Sequence, residues 1–139
     1  MGGNNTGNYA FAYTGITDTK VPITVQGSNS GVFEGAGIVT IHKLIVDSSV
    51  TSYSGWFTST TKLANIEIEG EIVASINFNA SPLTAKSLVS IVEHLSDSTS
   101  GKTLTVKTSA VTNADWSTTD YASWDALIAT KPNWTFTKA

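Results

Sequence analysis

Residues 96–103, SDSTSGKT, contain Gly-Lys-Thr, which is also how a phosphate-binding loop ends. That motif has another glycine five residues before its Gly-Lys-Thr, and Ser96 stands at that position. The loop also joins a strand to a helix, so that the helix N-terminus faces the phosphate. Here the segment follows a predicted helix and precedes a predicted strand. The residues therefore predict an ordinary turn that contains a glycine.

Two histidines, His42 and His94, are the only imidazoles, and an imidazole beside a serine can activate a nucleophile. His42 lies at an outward position of a predicted strand, and His94 lies on the polar side of a predicted helix, near Ser96. The chain has no Gly-x-Ser-x-Gly turn, which would expose a nucleophilic serine. Both histidines are interpreted as solvated surface side chains.

Three carboxylates, Glu67, Glu69 and Glu71, alternate with isoleucines around a glycine. Carboxylates on one face can bind Ca²⁺, but the alternation also predicts the solvent face of a strand. A glycan hydrolase would need two carboxylates converging in a cleft, and the acids lie on predicted outer faces. We predict no enzyme activity, with no catalytic residue, no cofactor and no metal.

Aromatic side chains cluster near the C-terminus, and exposed aromatics often stack on sugars. Tyr121, Trp124 and Trp134 have the spacing of a small terminal core, so we expect them to be buried. Trp116 precedes the predicted second helix and is expected to be more open. It is therefore kept as a candidate contact residue.

Composition excludes several classes of protein. The 139 residues, 40% of them hydrophobic, suffice for one domain with a core. A net charge of −3, with eight lysines and no arginine, argues against a nucleic-acid partner. No apolar run is long enough for membrane insertion, and the absence of cysteine excludes disulfides. Ser and Thr make up 38 of the residues, which is typical of a β-rich surface solvated by hydroxyls.

Phenylalanines recur along the first half of the chain, with Phe11, Phe33 and Phe57 separated by 22 and 24 residues. An apolar group with strand spacing follows each of them. A period in the low twenties is typical of a solenoid, so we expect the three rings to lie in a stacked row inside it. In SGWFTSTTKL, residues 54–63, Phe57 fills the coil and Gly55 permits the bend. Trp56 is expected at the coil edge rather than in the core.

The layout I-x-x-L-x-V-x-x-x-V-x-x-Y-x-x-x-F of residues 41–57, with YAF at 9–11, resembles the BspA-type leucine-rich repeats of bacterial surface proteins. The resemblance covers residues 9–80, although no Cys follows the Phe and no Pro follows the strand. It implies an α/β fold, a short leucine-rich-repeat-like solenoid with one strand per coil. It also implies a non-enzymatic adhesion or recognition surface, and similar short arrays look common in phage virion proteins.

The second half predicts longer return segments and helix-containing C-terminal capping units, within a single domain. Thr84 is a good N-cap for a helix within residues 81–96, and Ser117 with Asp120 makes a start like a capping box for a second helix. Strands are predicted at 72–78, 102–108 and 134–137. Residues 1–8 are interpreted as a tag or fragment start, 9–80 as repeats and 81–139 as the C-terminal repeat and capping region.

The residues predict a non-catalytic binding or assembly module, and the resemblance implies that it is extracellular, on a bacterial cell surface or built into a phage virion as an adhesion, fibre or decoration subunit. The partner would be a protein or glycan surface, contacted through the sheet face and the open N-terminal end. That end implies either a homo-oligomer or continuation of a longer repeat array. The alternative is a small glycan-binding or glycan-cleaving domain. The candidate contact residues are Thr24, Lys43, Ile45, Glu67 and Trp116.

Overall fold

A computed structural model describes residues 8–139, so all but the last residue of the predicted N-terminal tag segment, 1–8, lies outside the described residues. Four strands come first, and helices then separate the last two strands. In chain order they are β1 (Ile23–Val25), β2 (Thr40–Val46), β3 (Asn65–Gly70), β4 (Ile76–Phe78), α1 (Ala85–Glu93), β5 (Lys102–Val106), α2 (Thr108–Thr112), a 3₁₀ turn (Trp116–Thr118), α3 (Trp124–Ile128) and β6 (Trp134–Lys138).

The strands form two separate three-stranded parallel sheets, in the orders β1-β2-β3 and β4-β5-β6. This arrangement overturns the predicted fold class. A leucine-rich-repeat-like solenoid with one strand per coil would pair its successive strands in one continuous ladder, whereas β3 and β4 belong to different sheets. The chain has instead a small α/β fold with two sheets and few helices.

The first sheet ends at β3 because helix α1 occupies its outer edge. Ser87 and Ser90, one turn apart on α1, accept hydrogen bonds from the backbone N–H groups of Ile66 and Ile68, at 3.0 and 2.8 Å. These N–H groups would otherwise need the carbonyls of a further strand. Side-chain hydroxyls satisfy them, so no fourth strand joins this sheet.

Stacked phenylalanine rings run through the core. The ring centroids of Phe11 and Phe33 are 5.4 Å apart, and those of Phe33 and Phe57 are 5.5 Å apart, with nearly parallel planes. The predicted row of these three rings is therefore confirmed. Phe78 extends the row, with its centroid 4.3 Å from that of Phe57.

The prediction that Trp56 lies at an edge is wrong, because its side chain is fully buried. The indole packs edge-on against Tyr53, with ring centroids 5.0 Å apart, and its N–H donates to the carbonyl of Asn29. That bond satisfies the only polar atom of the indole, so burial leaves no donor without a partner. Residues near Trp56 in the sequence could not show this long-range contact.

The capping and strand predictions for the second half of the chain are confirmed only in part. Thr84 caps α1 through a bond from the Ser87 N–H, as predicted, and β5 and β6 lie at the predicted strands. The predicted helix start at Ser117 is wrong. Asp115 caps the 3₁₀ turn and Ser123 caps α3, so the expected single helix is broken into two short pieces. Helix α2 was not predicted.

The C-terminal aromatics pack as a small core. Trp124 and Trp134 are each 5% exposed, as predicted. Tyr121 is only half-buried, and its hydroxyl donates to a Glu93 carboxylate oxygen at 3.0 Å. Lys131 is buried beside this core, and its ammonium donates to the Leu95 carbonyl and to Asp97, each at 2.7 Å. The terminal core is thus closed by polar bonds as well as apolar contacts.

Tyr53 is expected to make stability fall at alkaline pH. It is 4% exposed, and within residues 8–139 its hydroxyl makes no hydrogen bond of normal geometry. Burial raises its pKa to about 12, partly opposed by the backbone of Val73 and reinforced by the Glu71 carboxylate. An unfolded tyrosine ionises near pH 10, so the unfolded state loses its proton first. The contribution of the neutral Tyr53 phenol to the free energy of unfolding is intact below about pH 10, and roughly 2 kcal/mol of it is lost as the pH rises to about 12.

Tyr53→Phe tests this by urea unfolding at several pH values. At neutral pH the free energy of unfolding of the variant should equal that of the parent protein or exceed it by about 1 kcal/mol, since the substitution removes an unsatisfied buried hydroxyl. Its stability should also fall less steeply between about pH 10 and 12. Tyr9→Phe, at an exposed tyrosine, is the control and should keep the parent profile. An equally steep fall in Tyr53→Phe would refute the assignment.

Candidate functional site

The outward face of the first sheet carries four of the sequence-predicted contact residues. The strand register pairs Thr24 of β1 with Ile45 of β2, and Ile45 with Glu69 of β3. Thr24, Lys43 and Ile45 are half-buried, whereas Glu67 is exposed. The fold therefore brings these four side chains to one face, and their role in contacts remains a prediction.

A β-bulge shapes the middle of this face. Ile41 pairs with Ile66 and Leu44 pairs with Ile68, so His42 and Lys43 together oppose the single residue Glu67. A bulge bends its strand and redirects its side chains, and bulges are frequent beside functional sites. His42 is exposed, as its sequence position predicted.

Lys43 lies between two carboxylates. Its Nζ atom is 3.7 Å from Oε1 of Glu67 and 3.4 Å from Oε2 of Glu69. Both glutamates are exposed on β3, which confirms that they lie on the solvent face of the strand. Within residues 8–139, no group of three acidic, histidine or cysteine side chains could hold a metal ion. The two ion pairs are solvated, and each contributes little to stability.

A cleft of about 750 Å³ opens between the starts of β2 and β3, the start of α1 and the segment 109–118. Asn65 and Glu67 line the sheet wall, Lys86 lines the helix wall, and Asn113 and Asp115 line the third wall. A second cavity of about 390 Å³ continues along β3 and α1.

The two cavities share three lining residues, Glu67, Lys86 and Ser90, so they are neighbours and together make up a depression along β3 and α1. We call it the β3–α1 groove. Lys43 lines its smaller part. Thr24 and Ile45 line neither cavity, and Trp116 is half-buried against the core, outside the groove.

Sequence reasoning missed the three polar residues that complete the groove. Asn65, Lys86 and Asn113 lie 21 and 27 residues apart along the chain and belong to no shared motif. Asn65 begins β3, Lys86 lies in the first turn of α1 and Asn113 caps the end of α2. The groove exists because α1 docks on β3, and no local pattern announces that contact.

A second notable surface lies at the other edge of the first sheet, beside β1. Tyr9, Tyr13, Ile16 and Val21 are 54%, 73%, 40% and 62% exposed. We call these four residues the N-terminal edge. They are four of the five large hydrophobic side chains exposed within residues 8–139. The edge adjoins β1, which pairs with β2 on one side only among the described strands.

The two tyrosines of this edge have left-handed backbone conformations, with φ of 57° at Tyr9 and 54° at Tyr13. Their rings lie over Gly31 and Gly35, where an added Cβ atom would overlap them. The Tyr13 hydroxyl donates to Oε1 of Glu34 at 2.7 Å, and this bond raises the pKa of the phenol. A left-handed conformation costs a residue with a side chain roughly 1–2 kcal/mol. The fold thus holds two exposed rings in place at a conformational cost.

Comparison with known proteins identifies no relative. No protein-family model, no curated protein and no solved structure matches the chain. Among the helices within residues 8–139, none has the length and apolar character needed to cross a membrane. The two surfaces of the described residues that are available for contacts are the β3–α1 groove and the N-terminal edge.

Proposed function

We propose that the chain is a non-catalytic binding and assembly module that contacts a second polypeptide through its N-terminal edge. The observation that carries this proposal is the concentration of exposed Tyr9, Tyr13, Ile16 and Val21 beside an open sheet edge. Tyrosine and aliphatic side chains gathered in one patch are characteristic of protein interfaces. Its setting, a bacterial surface or a phage virion as an adhesion, fibre or decoration subunit, rests on the sequence resemblance alone.

Backbone bonding supports a polypeptide as the partner. The N–H groups of Phe11 and Tyr13 donate to the carbonyls of Val32 and Glu34, each at 2.8 Å. The next segment repeats this pattern, since Phe33 donates to Trp56 at 3.0 Å. Each segment thus offers alternate carbonyls to the segment before it.

The first segment has carbonyls in the same positions, on Ala10 and Ala12. Within residues 8–139, no hydrogen bond reaches either of them. Backbone N–H groups of an incoming chain would complete the pattern, as in peptide recognition by strand addition. The face of the Phe11 ring that is turned away from Phe33 would receive an apolar side chain.

A second copy of the chain is the partner that the charges favour. Asp18 and Lys20, both exposed, lie on the N-terminal side of β1 and carry opposite charges. In a twofold dimer every contact between two different residues occurs twice, so when one copy's Asp18 faces the other copy's Lys20, the reverse pair forms as well. An edge that carries one acid and one base is self-complementary in this way.

The contacts that the carboxylates of the groove already make favour a non-catalytic role. A glycan hydrolase needs two carboxylates free to act across a cleft. Asp115 accepts hydrogen bonds from the backbone N–H and the hydroxyl of Ser117, at 3.1 and 2.5 Å. Glu67 pairs with Lys43. Asp115 thus serves a structural contact, and Lys43 partly balances the charge of Glu67.

Val21→Lys tests the assembly role. We expect the parent protein to form a dimer in size-exclusion chromatography with light scattering, and the variant to be a monomer, because a charge replaces an apolar contact. Val21 is 62% exposed, so the variant should fold with unchanged thermal stability. Val39→Lys, at an exposed valine outside the edge, is the matched control and should remain dimeric. A parent protein that is monomeric at every concentration overturns the proposal.

A further inference from the structure

The β3–α1 groove has the size and shape for a chain-like ligand. Its two parts measure about 750 and 390 Å³, and binding sites for small molecules commonly measure roughly 300–1,000 Å³. Because both parts are lined by Glu67, Lys86 and Ser90, a ligand longer than one part would contact residues of both.

Several polar groups in the groove have no partner among residues 8–139. The Asn113 amide, the Lys86 ammonium and the His42 imidazole are exposed to solvent and make no hydrogen bond or ion pair with the described residues. Asn65 donates weakly to the Thr40 hydroxyl, at 3.3 Å, which leaves its amide oxygen without a donor. Each amide offers both donors and acceptors, which matches the hydroxyl groups of a sugar.

The charge of the groove disfavours an anionic ligand. Two lysines and four carboxylates line the combined groove: Lys43, Lys86, Glu67, Glu69, Glu93 and Asp115. The surplus of negative charge repels phosphates, nucleic acids and acidic glycans. A neutral ligand meets no such repulsion.

An extended peptide is also disfavoured, because the groove offers no free strand edge. The N–H groups of Ile66 and Ile68 on the outer edge of β3 are already bonded to Ser87 and Ser90. Strand addition depends on such backbone groups being available. What remains are side-chain amides and charges above a partly apolar floor that includes Leu83 and Ala110.

We propose that the β3–α1 groove binds a segment of a neutral, linear oligosaccharide. The hydroxyls of the sugar would bond to Asn65 and Asn113, and its C–H faces would rest on the apolar floor. This site is separate from the N-terminal edge and does not depend on the assembly role.

The test is a two-dimensional ¹⁵N–¹H NMR titration of the full chain with cellotetraose, chitotetraose and maltotetraose at millimolar concentrations. We expect at least one of them to shift the backbone amides of residues 65–67, 84–90 and 109–118, and to leave those of 9–13 unchanged. Asn65→Ala and Asn113→Ala should each weaken that binding about tenfold, the equivalent of one lost hydrogen bond. Asn79→Ala, an exposed amide outside the groove, should bind as the parent does.

Three results would overturn the site: no shift with any of the neutral oligosaccharides, shifts that survive Asn113→Ala with unchanged affinity, or binding of tetralysine in their place. The titrated samples also report on hydrolysis. New reducing ends would support the oligosaccharide site and contradict the non-catalytic function. If the protein is monomeric and still binds an oligosaccharide, the assembly role fails while the oligosaccharide site stands.

Discussion

Phe33→Ala is expected to lower the free energy of unfolding by about 4 kcal/mol, the typical loss for a fully buried phenylalanine. Phe33 has no exposed surface and lies between two rings, with centroids 5.4 Å away at Phe11 and 5.5 Å away at Phe57. Truncation removes apolar burial and leaves a cavity that both neighbouring rings line. Urea unfolding followed by tryptophan fluorescence measures the change.

Phe11→Ala is the matched control, because its ring is half-buried and contacts only Phe33 among the stacked rings. We expect it to cost about half as much, roughly 2 kcal/mol. Since Phe11 rests on Phe33, truncation of either ring should also loosen the N-terminal edge and weaken the proposed dimer. Equal losses for the two variants would contradict a core centred on the middle of the row.

Gly70→Ala is expected to cost about 3 kcal/mol or more, because the site combines backbone strain with a steric clash. Gly70 has φ of 95°, a conformation that residues with a side chain rarely adopt. It pairs with Val46 at the end of β3, and an added Cβ atom would overlap the Val46 carbonyl. The methyl group cannot be accommodated unless β2 and β3 separate there.

Two other glycines separate the cost of the positive φ from the cost of the steric clash. Gly27 also has a positive φ, 73°, but nothing lies within 4 Å of an added Cβ atom, so Gly27→Ala should cost about 1 kcal/mol. Gly15 has open space and no positive φ, so Gly15→Ala should be close to neutral. Thermal unfolding of the three variants measures the series. A Gly70 variant as stable as the Gly27 variant would mean that the clash is relieved at no cost.

Errors in the sequence-based prediction arose where distant segments decide the outcome. The spacing of the phenylalanines is consistent with a continuous ladder of strands, but Ser87 and Ser90 end the first sheet by satisfying its edge from a helix. Trp56 lies in the core because Asn29 supplies an acceptor for its indole N–H. Neither contact has a signature in the neighbouring residues.

The candidate site, too, could be predicted from local sequence patterns only in part. Lys43 and Glu67 were predicted from strand alternation, which also placed Glu67 in the solvent, and both line the groove. The sequence offered no reason to join them with Asn65 and Asn113. The sheet, helix and 109–118 walls that carry these residues meet only in the folded chain.

The sequence by itself determined the stacked phenylalanines, the capped helix α1 and the alternation of β3, because periodicity and capping act within a few residues or repeat at a fixed interval. Only the tertiary structure decided that the strands divide into two sheets, that Trp56 is buried and that a polar groove lies between β3 and α1. Those features depend on which backbone donors and apolar surfaces meet across the fold. Such pairings are set by the free energy of the whole chain rather than by any one segment.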